Sequence, residues 1–244
     1  MQMILTLLLS FSFAGTTASR LASSSIFAPF YDGTHYQELS PCSITAAEVK
    51  ALQKTATAII RLTHNASPII LAGQSPAYLW PFLKRHRTVY RVAFSGSTSN
   101  TAGMLPTEKS IKNYCQYLST IGLDAATIQS STIVDYTRSF DRSVDFVHIL
   151  RRCSSNDYFP QFINLVEHQG MANWTSIQSA TKAIPFIHIP VIFEYACAFA
   201  NNAVPRSIPH YPYWKWMDPP DMNDPDLLEG KTYMDYLEKC AAKK

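Results

Sequence analysis

Asp135 stands at the end of the apolar run Ser131-Thr132-Ile133-Val134-Asp135-Tyr136, and the loop after it, residues 137–142, is rich in hydroxyl and guanidinium groups and leads to Ser143 at a helix start. A carboxylate at a strand end can hold sugar hydroxyls. The backbone N–H groups of a hydroxyl-rich turn that enters a helix face an anion. Arg138, Ser139, Arg142 and Ser143 are therefore candidate ligand-binding residues beside Asp135. A second turn, Gly73-Gln74-Ser75-Pro76, follows another apolar run and offers Gln74 and Ser75. Ser75 is also a candidate nucleophile, because a serine at a strand end can attack an acyl carbon when an Asp–His pair supplies the base. Asp145-Phe146-Val147-His148 has that spacing, and Asn100 is a candidate oxyanion donor. The simpler account of Asp145 and His148 is a surface pair one helical turn apart. The 7 His form no H-x-H or H-x-x-x-H and the 5 Cys no C-x-x-C, so no metal site is expected.

Strands and helices must position these turns. Ser43 caps a helix expected over 43–64, with Ile59, Ile60 and Leu62 on its buried side. A strand follows over 68–73, then a helix over 77–87 made irregular by Pro81, then a strand over 89–94. Pro106-Thr107-Glu108-Lys109 opens a helix carrying Ile111, Tyr114, Leu118 and Ile121, and Gly122 ends it. The strand over 131–136 feeds a helix over 143–152. A helix over 158–170, an edge strand over 184–190 bounded by prolines and a helix over 191–200 come next. Beyond Val204, prolines mix with Tyr211, Tyr213, Trp214 and Trp216, which reads as an irregular wrap over the core before a last helix over 233–240. Strands alternating with helices imply a three-layer α/β domain, a mostly parallel sheet with helices on both faces. In such sheets ligands bind beyond the carboxyl ends of the strands, where the turns after Gly73 and Asp135 lie.

Ile133-Val134-Asp135-Tyr136-Thr137-Arg138-Ser139-Phe140-Asp141-Arg142-Ser143-Val144 resembles the phosphoribosyl pyrophosphate motif of the type I phosphoribosyltransferases. That motif is an apolar strand, two acids, then a Thr/Ser-Gly-rich turn into a helix. Asp135 matches the first acid and Ser143 the hydroxyl residue before the helix. Tyr136 replaces the second acid, and Phe140-Asp141-Arg142 replaces the small residues that let the backbone wrap a 5′-phosphate. The turn after Gly73 is similar in placement to the family's pyrophosphate loop. The resemblance covers roughly residues 67–152. It implies a phosphoribosyltransferase-like fold, with Asp135 on the ribose and Ser139, Arg142 and Ser143 on phosphate. Magnesium enters only if a phosphoribosyl pyrophosphate site is active. The departures imply a degenerate phosphate- or nucleotide-binding module without transferase activity, the alternative being an active transferase. Gly73-Gln74-Ser75 also resembles the first block of SGNH-type esterases, which implies a secreted serine esterase using Ser75. In that family the Asp-x-x-His lies close to the C-terminus, whereas here Asp145 follows Ser75 by 70 positions.

The whole chain bounds these readings. It has 244 residues, 47% hydrophobic and 16% charged, which excludes a disordered polyelectrolyte and a coiled coil. A net charge of +3 gives no footprint for nucleic acid. Expected partners are a phosphate- or nucleotide-bearing small molecule or another protein. Residues 1–18 read as a signal peptide, 19–40 as an extended leader and 41–244 as a single domain. Nothing after the signal is long and apolar enough for a membrane anchor. Asn65-Ala66-Ser67 and Asn173-Trp174-Thr175 are glycosylation sequons that fit a secreted glycoprotein. The odd cysteine count leaves at least one thiol without an intrachain partner. Glycine is scarce, with 8 in all and none between Gly122 and Gly170, where a working phosphate loop would most use it.

Overall fold

The computed structural model describes residues 46–64, 67–95, 106–136, 141–154, 160–167, 187–193, 206–209, 211–212 and 215–242. Ile69–Ala72 is apolar throughout and fully buried, as befits a strand covered on both sides, and forms β1. Val89–Val92 is β2, Thr132–Tyr136 β3, Gln161–Glu167 β4 and Ile187–Phe193 β5. They make one sheet in the order β2-β1-β3-β4-β5, and every neighbouring pair is parallel. The helices are α1 (Ala46–Leu62), α2 (Gln74–Ala77), α3 (Trp80–Leu83), α4 (Glu108–Thr120), α5 (Ala125–Ser130), α6 (Asp141–Cys153) and α7 (Pro225–Ala242). The α/β class and the parallel sheet expected from the alternation are present.

Side chains alternate across the strands. Ile69, Leu71, Val134, Tyr136, Ile163 and Leu165 enter one apolar cluster with residues of α1, α3 and α7. Ile70, Ala72, Ile133 and Phe162 enter a second with residues of α4, α5 and α6. Tyr211 and Trp216 also enter the second, so this part of the aromatic wrap covers the core as expected. Trp216 stacks on Tyr114 with ring centroids 4.1 Å apart. Its indole N–H donates to the Tyr211 carbonyl at 3.2 Å. Each such fully buried side chain contributes roughly 1.5–3 kcal/mol.

Several elements differ from the expectation. The segment read as a helix over 158–170 holds β4. Phe162-Ile163-Asn164-Leu165-Val166 is a short apolar run that fits either period, and the free side of β3 decides it by pairing. Val191 to Phe193, expected to open a helix, continue β5, which stands last in the sheet order and carries Pro190. The helix expected over 77–87 is a single turn, α3, with Pro81 in it, and a further single turn, α2, takes in the expected turn at Gln74 to Pro76. Leu62 is 39% exposed rather than buried, while Ile59 is fully buried. The sequence reading contained no α5; Asp124 caps it by accepting from the Thr127 N–H at 2.7 Å. The final helix begins at Pro225, well before Tyr233.

Residues 1–40, both sequon asparagines, Tyr213 and Trp214 lie outside the described residues. Among the described residues, no helix is long and apolar enough to cross a membrane. Cys115 and Cys153 form a disulfide that joins α4 to α6, and Cys240 is free.

Candidate functional site

The order of the sheet brings the two suspected turns together. β1 and β3 are parallel neighbours in the register Ile69↔Thr132, Ile70↔Ile133 and Leu71↔Val134. Gly73 and Asp135 therefore leave the same edge of the sheet side by side. The chain passes from β1 outward to β2 and returns to β3 on the other side, so this is the point where the winding reverses and connections diverge. Gly73 turns the chain there with φ 81°, a conformation that favours glycine. Its N–H donates to the Val92 carbonyl at 2.9 Å.

Asp135 is fully buried on the α6 side of β3. Its Oδ1 accepts from the Tyr136 N–H at 2.7 Å, and Ser143 Oγ donates to its Oδ2 at 3.4 Å. Ser143, also fully buried, lies in the first turn of α6, so this bond ties the strand end to the helix start. These two expected site residues are thus brought together. Tyr136, which occupies the place of a second acid, points the other way and packs in the first apolar cluster.

The neighbouring rung holds a residue that the sequence reading missed. Asn164 on β4 is in register with Asp135 and fully buried. Register partners on parallel strands project to the same face, so its amide stands beside the carboxylate. Neither Asn164 Nδ2 nor Asn164 Oδ1 has a hydrogen-bond partner. A buried polar group left without a partner costs about 1–3 kcal/mol, so an amide with both ends open is expensive to keep. The available signal was one Asn among Phe162, Ile163, Leu165 and Val166, and it was masked by reading that segment as a helix.

The other expected residues divide. Gln74 is engaged in holding the chain. Its Oε1 accepts from the N–H groups of Ser207 and Ile208 at 3.0 and 3.2 Å, and its Nε2 donates to the Tyr78 hydroxyl. Behind that clamp, a Cβ on Gly230 of α7 would stand 1.7 Å from the Arg206 carbonyl oxygen, so the helix meets this segment backbone to backbone. Ser75 is half-buried in α2, next to Tyr78 and Leu79 of the first cluster. His148 is exposed on α6, whose Phe146, Val147, Ile149 and Leu150 build the second cluster, and Asp145 is half-buried. Ser75 and His148 thus sit on different helices, and no hydrogen bond joins them. Arg142 lies in the first turn of α6. Arg138, Ser139 and Asn100 lie outside the described residues.

Tyrosines fix the floor around this edge. Tyr114 donates its hydroxyl proton to the Ala93 carbonyl at 2.9 Å, and the Ala93 N–H donates to the Tyr117 hydroxyl at 3.0 Å. One peptide after β2 is therefore gripped at both ends. Burial pushes both phenols above their ordinary range, so they stay neutral hydrogen-bonding groups. Among the described residues, no group of three His, Cys, Asp or Glu side chains could hold a metal ion. What the described edge offers is one carboxylate, one free primary amide and one hydroxyl beside the start of a 13-residue helix. That set can accept from and donate to neighbouring hydroxyls of a ligand. Comparison with protein-family models, with curated proteins and with solved structures found no match.

Proposed function

We propose that this protein is an exported, phosphoribosyltransferase-like α/β module that binds a small phosphate- or nucleotide-bearing molecule and carries no transferase activity. The observation that carries the reading is the buried amide of Asn164, open at both ends and in register with Asp135. A ribose fits these groups. One ring hydroxyl donates to Asp135, while the next accepts from Asn164 Nδ2 or donates to Asn164 Oδ1. The ligand phosphate then lies toward the first turn of α6, with Arg142 and Ser143 in that turn and Arg138 and Ser139 just before it in sequence.

Three further features support it. Gly73 and Asp135 stand beside each other at the carboxyl ends of two parallel neighbouring strands, as a shared ligand requires. Two apolar clusters, drawn from alternating residues of the strands, fit a three-layer arrangement. The Cys115–Cys153 disulfide suits an oxidising compartment, in line with the signal peptide read at residues 1–18. Tyr136, packed into the core where the resembled family has a second acid near the ribose, supports the reading without transferase activity.

Isothermal titration calorimetry with ribose 5-phosphate, adenosine 5′-monophosphate and phosphoribosyl pyrophosphate tests the reading. Saturable binding of at least one, weakened in Asn164→Val and Asp135→Asn, is the expected result. Heat of dilution alone for all three at millimolar concentration would overturn it.

A further inference from the structure

A primary amide presents an N–H donor and a carbonyl acceptor side by side, so its full partner must offer an acceptor and a donor side by side as well. Asn164 holds such an amide fully buried, with neither Nδ2 nor Oδ1 bonded. Asp135 stands in register on the neighbouring strand, and such strands lie roughly 4.8 Å apart. Their described neighbours on this face of the sheet are apolar: Ile70 and Ala72 of β1, Ile133 of β3 and Phe162 of β4 all enter the second cluster. The polar ground is therefore two side chains wide. The Tyr136 N–H and Ser143 Oγ steady the carboxylate of Asp135, whereas the amide of Asn164 has no partner within the protein.

One hydroxyl lines up with one end of the amide and leaves the other open. Two hydroxyls on adjacent carbons answer both ends. The first accepts from Nδ2 and donates its proton to Asp135, and the second donates to Oδ1. A ketone in their place only accepts, and an ammonium only donates. A nucleobase edge with one N–H beside one acceptor satisfies the amide but has no second donor for the carboxylate, whereas the diol has one for each. We infer that Asn164 is the specificity-determining residue of this edge and reads a vicinal diol, so that the site takes ribose phosphates and ribonucleotides and rejects their deoxy forms. This selectivity rests on the ribose reading above and deepens it. A deoxy ligand fills the site and still leaves one end of a buried amide without a partner. A site built to bond hydroxyls penalises that loss far more than an apolar pocket penalises a missing methylene.

Calorimetric titration of the full chain compares two pairs of ligands. Ribose 5-phosphate and 2-deoxyribose 5-phosphate carry no base, so they isolate the diol. Adenosine 5′-monophosphate and its 2′-deoxy form add one. For a parent that binds, the deoxy partner should bind about tenfold or more weakly, the loss expected for one buried group left unpartnered. Asn164→Val should erase that preference by weakening the parent, bringing the two members of a pair within about twofold, since the missing hydroxyl then has no amide to couple to. A merely structural role for Asn164 would weaken both members alike and keep their ratio. Circular dichroism checks that the variant is folded. Equal affinities within a pair for the wild-type chain, or a preference that survives in Asn164→Val, would overturn the inference and leave the ribose reading standing. Binding of neither parent would also overturn it, and the ribose reading falls with it only if phosphoribosyl pyrophosphate too gives heat of dilution alone.

Discussion

Replacing Asn164 with Val should make the protein more stable and less able to bind. The side chain is fully buried, its amide has no partner at either end, and Ile133 and Phe162 lie on the same face of the sheet. Two unpartnered groups cost about 1–3 kcal/mol each, and removing both together relieves that cost. Val is β-branched and suits a buried strand, while imperfect filling of the vacated volume takes back up to about 1.5 kcal/mol. The net is a gain of about 2 kcal/mol, or roughly 4–8 °C in Tm for a domain of this size. Urea unfolding followed by circular dichroism reads the stability, and calorimetry with ribose 5-phosphate reads the binding. Thr132→Val on the adjacent strand is the control. Thr132 is also buried, but its Oγ1 donates to Gln161 Oε1 at 3.0 Å, so the same kind of change there should cost about 1 kcal/mol. A loss of more than about 1 kcal/mol in Asn164→Val would mean that the amide is satisfied in the native protein, and the argument from Asn164 would fail.

Gly230→Ala places a methyl against backbone that cannot swing aside, the Arg206 carbonyl oxygen at 1.7 Å and Ser207 N at 2.9 Å. The expected loss is about 1–3 kcal/mol despite the better helix propensity of Ala, with faster hydrogen exchange at the Ser207 and Ile208 amides; equal stability would refute the backbone contact. Removing both Cys115 and Cys153 frees a separation of 38 residues, for which chain entropy gives about 4 kcal/mol, so a shift in the urea midpoint is expected, and no shift would show that packing between α4 and α6 suffices. Burial raises the phenols of Tyr78, Tyr114, Tyr117 and Tyr233, and that of Tyr211 is pushed up to about 12. A raised folded value means that stability is complete below the ordinary tyrosine value near 10 and falls as pH rises above it. The urea midpoint should therefore drop on the alkaline side, with these phenols ionising only as the chain unfolds. Full tyrosinate absorbance from a still-folded chain would contradict this.

The central strands were readable because each is an uninterrupted apolar run with a definite stop, Gly73 after β1 and Asp135 near the end of β3. Thr107 was readable as a helix start, and its side chain does accept from the Ser110 N–H at 3.1 Å. β4 was not, because a run of five residues satisfies a buried helix and a buried strand equally, and only the pairing with β3 and β5 separates them. That error hid Asn164, the residue on which the site now depends. Gln74 shows the complementary difficulty. An amide in a glycine turn has the right chemistry for a ligand, but Ser207 and Ile208, more than a hundred positions away, use its oxygen. Long-range clamps of this kind leave no local pattern.

Pro190 gives the sheet a property beyond ligand binding. It lies in β5, the last strand in the sheet order, in the rung opposite Asn164. Within sheets proline is tolerated where its missing N–H would have pointed away from the ladder. A further strand docking along β5 would meet a rung there that offers no donor, which weakens growth by strand addition at this edge. Putting a donor back, as in Pro190→Val, would make self-association by strand addition easier, and the residue next to the candidate site would then also govern how the chain meets its own copies.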